Sequence, residues 1–560
     1  MTEKKIGIIL SGGTTSTAYC QLLESAEKGK ITEGRLLVVK TKLGKILART
    51  AELIPYNAFY TSGDPWSEVR RKGGDLPQNI ARQYEICKLD LLMTLAKGKH
   101  KDVKFPPLPG ENVVELDLEK NKEEIFGITE DQAGFIWYGT LLGYENAAIP
   151  LSIEKLPMHL AIFGVTGSGK SYDTGVFIEN LSRIPINKQE KISYPLVIID
   201  AHGDYLDYVE EFVKEKKFGS YTWIKRFVFP ISYTSNLRHR NKKYSDVIHQ
   251  IGINLDNLSS REIAETVILY YKGRIGYESE LQVSAIETTI ERLKIASHTP
   301  NDLFTSNYER VLKRELNRDQ EIHSATKGAA IRAIDKFQKD VELEHKLLST
   351  ESELKNTDFV DNITKNGGLA ILDFSADGAP GVNLPLKQLV MAYLAGILFN
   401  QFTTFKINND ERYLLFMIEE AQNFCPSSSY PVGSSLAHLK LSAIATQGRK
   451  FGLSLCLISQ RPSFVDKIVL SMCNSFMIHR ISPEDVNFVL STTGGLPTSI
   501  SRRLTRLSLG DAIITGQMSN IPFPIVINIP RKQRKVPHTA GHTNVIANLA
   551  KLRGIIIDKD

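Results

Sequence analysis

The hydrophobic pattern divides the chain into a strand-rich beginning and a longer part in which strands and helices alternate. In the first 120 residues, short β-branched runs are separated by turns that contain glycine, a pattern typical of strands. One helical stretch is predicted among them, at residues 79–96. The predicted strands lie at residues 6–10, 35–40, 46–53 and 113–118. This part is therefore expected to form a β-rich module.

From residue 158 onward, short apolar runs alternate with helical or mixed stretches. This alternation predicts a parallel sheet that is covered by helices on both faces. The runs expected to form its strands lie at residues 159–163, 196–199, 369–372, 414–418 and 453–458. Between residues 245 and 355 the pattern is helical and charged, with no strong strand. We predict a helical insertion there, with helices beginning at Ser259 and spanning residues 280–295 and 329–344.

The last part of the chain returns to strands and then becomes basic. Strands are predicted at residues 512–515 and 524–529. A basic segment follows at residues 531–535, and a terminal helix is predicted at residues 543–553.

The composition is ordinary for a globular protein of several structural units. The chain has 560 residues, of which 42% are hydrophobic and 24% charged, which excludes collagen-like, coiled-coil and mostly disordered proteins. No apolar run reaches the roughly 18 residues that a membrane span requires. The sequence shows no secretory signal. We expect a cytoplasmic protein without a membrane partner.

Charge and cysteine content constrain the partners only weakly. The net charge of +6 permits a polyanionic partner but does not require one. The five cysteines form no C-x-x-C pair, so we expect small buried side chains in a reducing compartment. Neither a disulfide framework nor a cysteine metal site is indicated.

The clearest chemical motif is a phosphate-binding loop at residues 164–171. The segment fits the pattern G-x-x-x-x-G-K-[ST], follows an apolar strand and precedes a helical pattern. Its backbone N–H groups can converge on phosphate oxygens, and the helix presents its positive end to them. The motif predicts ATP and Mg²⁺ as cofactors, with Ser171 as a metal ligand. The nucleotide-binding residues are Gly164, Thr166, Gly167, Ser168, Gly169, Lys170 and Ser171.

A second apolar strand ends in two acids, Glu419 and Glu420. Paired acids at the carboxyl end of a buried strand are costly unless a cation or a water molecule uses them. We predict that Glu419 contributes to the Mg²⁺ shell and that Glu420 polarises the attacking water. The alternative is an acidic cluster that caps the next helix. A competing acid-tipped strand ends at Asp200, and we leave the roles of Asp200 and Asp204 open between the site and a structural turn.

A third strand, at residues 453–458, has candidate residues on both sides. Gln460 follows it, where an amide can sense a γ-phosphate, although such an amide can also satisfy loop backbone. Arg449 precedes it on a glycine-flanked stretch. In a ring, Arg449 could reach the neighbour's γ-phosphate as an arginine finger. The alternative is a solvated or DNA-facing arginine.

Together these motifs resemble the HerA family of hexameric DNA translocases, relatives of FtsK in the RecA-like P-loop class. The segments that carry the resemblance are residues 159–171, 200–205, 418–424 and 448–474. The resemblance implies that Lys170 and Ser171 bind the nucleotide and Mg²⁺ and that Glu420 is the catalytic carboxylate. It also implies that Gln460 is a sensor and that Arg449 acts on the site of the neighbouring subunit.

The same resemblance implies an α/β fold with a RecA-like P-loop NTPase core, an N-terminal β-barrel and an inserted helical bundle. The barrel would span residues 1–125, and the core residues 126–244 and 356–530. The bundle would span residues 245–355, and residues 531–560 would brace the neighbouring subunit. Two positions depart from the family pattern: Asp204 stands where Glu is common, and Gln422 where His is common.

The main functional hypothesis is an ATP-dependent double-stranded DNA translocase or helicase that acts as a homohexamer. The resemblance adds a partner nuclease of the NurA type, in DNA-end processing, or another effector in anti-phage defence. One alternative is an ATP-regulated ring that assembles a partner enzyme, and another is a pump for secreted proteins. Candidate cations for a DNA channel are Arg238, Arg240, Lys242, Lys243 and Lys440.

Overall fold

The fold joins a β-barrel, a large mixed sheet and a helical insertion. It was obtained as a computed structural model. The structure describes residues 4–27, 31–61, 66–74, 83–96, 100–129, 132–144, 147–230, 244–273, 276–305, 309–349, 352–355, 357–375, 382–431, 435–530 and 533–536.

Six antiparallel strands at the beginning of the chain close into a barrel in the order β1-β2-β5-β4-β3-β6, with β6 pairing back onto β1. Closure leaves no strand edge unpaired, which protects a small β-module from edge-to-edge association. The predicted N-terminal β-barrel is present. Its strands are β1 (Lys5–Ile9), β2 (Thr17–Leu22), β3 (Leu36–Thr41), β4 (Gly44–Tyr56), β5 (Tyr84–Leu95) and β6 (Asn112–Glu115).

The helix predicted at residues 79–96 is wrong, because its described part forms the long strand β5. Along this strand every second side chain is buried, whereas the side chains between them are only partly buried. That two-residue period is the signature of a strand with one face on the core. The buried side chains on that face are Cys87, Leu89, Leu91, Met93 and Leu95.

An 11-stranded sheet forms the centre of the molecule, in the order β15-β14-β16-β13-β17-β18-β10-β19-β20-β21-β8. The strands from β15 to β19 are parallel, and the last three pair antiparallel. Two further pairs stand apart, β7 with β9 and β11 with β12. The bounds are β7 (Phe135–Tyr138), β8 (Thr140–Leu141), β9 (Ile149–Ser152), β10 (Leu160–Phe163), β11 (Ile184–Pro185), β12 (Lys191–Ile192), β13 (Leu196–Asp200), β14 (Ile224–Val228), β15 (Ile248–Gln250), β16 (Leu369–Asp373), β17 (Leu414–Ile418), β18 (Leu453–Ser459), β19 (Ser475–Ile478), β20 (Asp511–Gly516) and β21 (Ile525–Asn528).

The central strands β10, β13, β16, β17 and β18 are buried at every residue. Continuous apolar runs of this kind are characteristic of parallel strands with both faces covered. These are the five strands predicted from the apolar runs, and the predicted α/β class is confirmed. Strand β18 separates the phosphate-loop strand β10 from the acid-tipped strand β17.

Helices cover the sheet and form the insertion. Described residues contain no helix that is long and apolar enough to cross a membrane. The α-helices are Glu24–Glu27, Ser67–Arg71, Leu118–Phe126, Lys170–Leu181, Leu206–Glu215, Ser260–Lys272, Glu280–Ile295, Pro300–Leu303, Glu309–Arg318, Ser324–Gln338, Thr357–Lys365, Leu384–Ile407, His438–Gln447, Lys467–Ser471, Val486–Thr492 and Thr498–Ser501, and a π-helical turn continues from Lys339 to Glu344.

The insertion begins as the sequence predicts, with a capping box at Ser259. The Ser259 hydroxyl accepts a hydrogen bond from the backbone N–H of Glu262, and the Glu262 carboxylate accepts one from the Ser259 N–H. The predicted helix at residues 280–295 is also present. The segment, predicted to contain no strong strand, holds one short strand, β15, a three-residue edge strand that pairs with β14. So short a strand leaves little periodic signal, and its pairing partner lies outside the insertion.

Candidate active site

The phosphate-binding loop leaves the sheet between two neighbouring strands. The Gly164 N–H donates to the Ser459 carbonyl at 3.2 Å, and the Val165 N–H donates to the Arg480 carbonyl at 2.9 Å. A Cβ at Gly164 would lie 2.8 Å from the His479 Cβ, so only glycine fits there. The loop is therefore held by the last residue of β18 and by a residue that follows β19.

The end of the loop requires left-handed backbone just before the helix Lys170–Leu181. Gly167 and Gly169 have φ angles of 74° and 99°, which glycine adopts without steric cost. A Cβ at Gly169 would also lie 3.2 Å from the Gly510 nitrogen, which donates to the Ser168 carbonyl. Glycine at these two positions therefore lets the loop turn directly into the helix.

The side chains of this loop fit an anionic nucleotide. The Ser168 hydroxyl is buried and has no hydrogen-bond partner among the residues that the structure describes. Lys170 is 7% exposed and lies at the first position of the helix, where the helix dipole also favours an anion. Ser171 follows it and is partly buried. Within the described ranges, no group of three or more His, Cys, Asp or Glu side chains could hold a metal ion by itself.

Glu419 lies directly after β17 and is almost completely buried. Its Oε2 accepts a hydrogen bond from the Ala201 N–H at 3.1 Å, and its Oε1 accepts one from the Tyr205 hydroxyl at 2.7 Å. Burial raises the pKa of Glu419, and the positive charge of Lys170 opposes that rise. The charge of Lys170 therefore favours the ionised form of Glu419 against the effect of burial.

Glu420 is held in left-handed backbone, with φ 48° and ψ 48°, and only 7% of the residue is exposed. Its Oε1 accepts hydrogen bonds from Gln460 Nε2 at 2.5 Å and from His202 Nε2 at 3.3 Å, and Gln422 donates to its Oε2. Burial raises the pKa of this carboxyl, but these hydrogen bonds and the charge of Lys170 outweigh burial and lower it. Glu420 is thus an ionised carboxylate near the loop.

Gln460 connects the phosphate-binding loop to this carboxylate. The Thr166 hydroxyl donates to Gln460 Oε1 at 2.5 Å, while the Gln460 amide nitrogen donates to Glu420. The Ser459 hydroxyl donates to Gln422 Oε1 at 2.8 Å, which fixes that amide as well. The Gln460 side chain therefore connects Thr166 of the loop directly to Glu420.

Asp200 takes the structural role that the sequence left open. Its Oδ1 accepts hydrogen bonds from the N–H groups of Gly203 and Asp204 at 2.7 and 3.0 Å, and its Oδ2 accepts one from Tyr205 at 3.0 Å. These bonds hold the turn that carries His202 and Tyr205 toward the two acids. Asp204 is 9% exposed, and its charge contributes to the raised pKa of Glu419.

Arg449 is not brought to the phosphate-binding loop of its own chain. It is exposed and lies in the turn Gly448–Phe451, before the amino end of β18. Gln460 follows the carboxyl end of the same strand. Seven residues of strand extend over about 20 Å at roughly 3.3 Å each. Arg449 therefore lies near the amino ends of the parallel strands, whereas Lys170 lies beyond their carboxyl ends.

Of the five candidate channel cations, only Lys440 lies among the described residues. Arg238, Arg240, Lys242 and Lys243 lie outside the described residues. Lys440 donates to the Glu262 carboxylate at 2.8 Å, which joins the core to the insertion. Lys440 is thus ion-paired and partly exposed, and its role in a DNA channel stays a prediction, with an ordinary surface charge as the alternative.

The C-terminal segment contacts its own chain where it is described. The Glu179 carboxylate, on the helix that follows the phosphate-binding loop, accepts hydrogen bonds from the N–H groups of Lys535 and Val536. The Arg534 guanidinium lies over the Tyr208 ring and donates to the Asp204 carbonyl at 3.2 Å. Bracing of a neighbour by residues 531–560 stays a prediction, and the helix predicted at residues 543–553 lies outside the described residues.

A buried histidine, His479, holds the first turn of the helix that follows the phosphate-binding loop. His479 Nε2 donates to the Asp173 carboxylate at 2.8 Å, and its Nδ1 faces the Asp511 carbonyl at 3.1 Å. Tyr138 also donates to the Asp173 carboxylate. Both side chains of the His479–Asp173 pair are fully buried. Because Asp173 lies in the first turn of the Lys170–Leu181 helix, the pair fixes that turn against the sheet.

Replacing His479 by Ala should destabilise the protein by about 3–5 kcal/mol, because the Asp173 carboxylate would keep the Tyr138 hydroxyl but lose its buried imidazole partner. The measurement is the midpoint of thermal unfolding. His323→Ala, at an exposed histidine in the insertion, is the matched control and should leave the midpoint unchanged. Equal midpoints for the two variants would contradict the anchoring role of His479.

Comparison with known proteins identifies similar chains. Residues 136–398 match the family model of the central domain of helicase HerA. The DNA double-strand break repair helicase HerA of Sulfurisphaera tokodaii is 26% identical over 551 residues, which cover 95% of this chain and 94% of that protein. The helicase of the same name from Saccharolobus solfataricus is 25% identical over 429 residues, which cover 76% and 74%.

Two solved structures are similar at low identity. VirB4 of Thermoanaerobacter pseudethanolicus has a TM-score of 0.47 and 15% identity, and covers 72% of this chain and 97% of its own. The bacterial conjugative coupling protein TrwB has a TM-score of 0.47 and 15% identity, and covers 74% and 93%. The family matches confirm the resemblance predicted from the motifs and the predicted class of enzyme, an ATPase of the helicase type.

Proposed function

We propose that this relative of the HerA helicases is an ATP-driven motor that moves double-stranded DNA through a homohexameric ring. The observation that carries the proposal is the double contact of Gln460, which is hydrogen-bonded to Thr166 in the phosphate-binding loop and to Glu420. Such a contact couples the presence of a terminal phosphate to the position of the carboxylate that would activate water. A motor requires this coupling, because each hydrolysis must change the protein conformation.

The residues of one chain would bind the nucleotide and activate the attacking water. The N–H groups of the loop and the Lys170 ammonium would bind the phosphates. Ser171 and Glu419 would hold Mg²⁺, which neutralises charge on the transferred phosphoryl group when it is bound. Glu420, kept ionised by its hydrogen bonds, would orient a water molecule and accept its proton.

The other half of the site would come from a neighbouring subunit. Arg449 is exposed at the end of the strands opposite to Lys170, so it can serve a nucleotide only on another copy of the chain. A ring of such contacts places each ATP between two subunits, so that loss of its terminal phosphate shifts one subunit against the next. The number of six subunits rests on the family resemblance.

Duplex DNA should stimulate ATP hydrolysis, and the stimulation should fall steeply with salt, because contacts to the phosphate backbone release counterions. A motor with six to ten phosphate contacts would lose roughly 10³–10⁵-fold in DNA affinity between about 50 and 200 mM salt. The measurement is ATPase rate against DNA concentration at several salt concentrations. Lys170→Ala should bind DNA with the same salt dependence and hydrolyse no ATP. A wild-type ATPase rate that is indifferent to duplex DNA would favour the assembly-platform alternative.

A partner nuclease, of the NurA type or another defence effector, is proposed from the family resemblance alone. The test is purification of the native complex followed by a nuclease assay of each co-eluting protein. A nuclease that elutes with the ring at a fixed ratio supports the proposal. A ring that elutes alone, with full DNA-stimulated ATPase activity, contradicts it.

A further inference from the structure

His202 joins the buried carboxylate of Glu420 to the solvent. It lies in the turn that Asp200 holds, and its Nε2 is 3.3 Å from Glu420 Oε1. More than half of its side chain, 54%, is exposed, whereas only 10% of the Glu420 side chain is exposed. The imidazole therefore contacts the carboxylate with one edge and water with the rest of the ring.

Three described side chains lie within hydrogen-bond distance of the Glu420 carboxylate, and among these three only His202 can change its number of protons in the neutral pH range. Gln460 and Gln422 are amides, which donate to Glu420 at every pH. An imidazole titrates near neutrality and can either donate or accept at a given nitrogen. The protonation state of His202 therefore changes how strongly Glu420 Oε1 is held beyond the constant hydrogen bond from Gln460.

We propose that His202 is a positioning residue that controls Glu420: as an imidazolium it pins Oε1 and weakens the carboxylate as a base, and as a neutral imidazole it leaves the carboxylate available. The inference rests on the proposed role of Glu420 as the base. During hydrolysis, an O–H bond of water breaks and its proton passes to Glu420. The water oxygen bonds to the γ-phosphorus as the bond from that phosphorus to the β–γ bridging oxygen breaks. The proton then passes to the Nε2 of neutral His202 and leaves to solvent.

The charges that surround the imidazole determine where this control operates. The hydrogen bond to Glu420 raises the pKa of His202, partial burial opposes that rise, and the charges of Glu419 and Asp204 add to it. The positive charge of Lys170 opposes the rise in the pKa of Glu419 and helps to lower the pKa of Glu420. Because the folded-state pKa is raised, the imidazolium persists to a higher pH than it would in an exposed histidine. Turnover should therefore be low in acid and should rise as the pH passes upward through the raised pKa of His202.

The test is the pH dependence of kcat at saturating ATP for the wild-type ring and for His202→Gln, which keeps a hydrogen-bond donor but does not titrate. Wild-type kcat should rise by about tenfold or more from pH 6 to pH 9, whereas His202→Gln should vary by less than about twofold. His323→Gln, at an exposed histidine away from the site, should retain the wild-type profile. A His202→Gln protein that keeps the wild-type acid limb, or that is inactive at every pH, overturns the inference.

Failure of the inference and failure of the proposed function give different results. If Glu420→Gln retains full ATPase activity, Glu420 is not the base, and both proposals fall. If Glu420→Gln is inactive while His202→Gln keeps the wild-type pH profile, Glu420 stands as the base and only the role of His202 is refuted.

Discussion

Replacing Glu420 by Gln is expected to lower ATP turnover by about 10²–10⁴-fold, the usual contribution of a positioned general base. ATP binding should persist, because the phosphate-binding loop and Lys170 are untouched. The substitution keeps the size of the side chain and removes only the charge that would accept the proton of water. The measurement is kcat under saturating ATP, together with the affinity for a fluorescent ATP analogue.

Glu411→Gln is the matched control for this prediction, since Glu411 is exposed and precedes the same strand, β17, at its other end. Its turnover should equal that of the wild type. Full activity in Glu420→Gln would remove Glu420 from the chemistry and would favour the alternative of an acidic cluster with a purely structural role.

Replacing Arg449 by Ala is expected to lower turnover by about 10³-fold or more, the range that arginine fingers supply. ATP binding to one subunit should change little, because Arg449 lies at the end of the strands opposite to the loop of its own chain. Arg449→Lys should recover little, since an ammonium cannot reproduce the planar fork of donors. The measurement is ATPase activity of the assembled ring, with and without DNA.

The neighbouring cation provides the control for Arg449. Lys450 is exposed in the same turn, so Lys450→Ala removes one positive charge at nearly the same place. Turnover should remain close to wild type. If both variants lose only the stimulation by DNA and keep the basal rate, Arg449 faces DNA rather than a nucleotide.

The parts of the fold that could be predicted are those in which local pattern and tertiary environment agree. The strands that end at Phe163 and Ile418 are apolar throughout and buried on both faces, so their sequences show them directly. The sequence of the strand Tyr84–Leu95 predicts a helix because Leu and Met have high helix propensity. In the structure, buried and partly buried side chains alternate from Cys87 to Leu95, as expected for a strand. The strand Ile224–Val228 was missed because it contains Lys225 and Arg226.

Arg226 shows why some signals exist only in three dimensions. Its guanidinium is buried inside the sheet because it donates to the Asp373 carboxylate on the adjacent strand, with the Nε at 3.1 Å. The partner is 147 residues away in sequence, so no local sequence pattern predicts the pair. A charged residue in a buried strand is tolerated only when such a partner is present.

The motifs of the candidate site could be predicted from the sequence, but the hydrogen bonds that connect them could not. The phosphate-binding loop, Glu420 and Gln460 each follow a recognisable strand, and the structure brings all three together. The contributions of His202 and Gln422 were not predicted, because each acts through a hydrogen bond to Glu420. Only their positions in the sequence pointed to them: His202 lies in the turn after an acid-tipped strand, and Gln422 lies two residues after Glu420.

The central claim is that each nucleotide site is built from two copies of the chain, and mixing two inactive variants tests it most directly. Lys170→Ala lacks the loop cation, and Arg449→Ala lacks the finger. Rings assembled from both should recover ATPase activity, because a site with Lys170 from one subunit and Arg449 from the next is intact. Rings mixed from Lys170→Ala and Glu420→Gln should stay inactive, since both changes affect the same half of the site. Recovery in the first mixture and none in the second is the predicted result, and no recovery in the first would contradict the shared site.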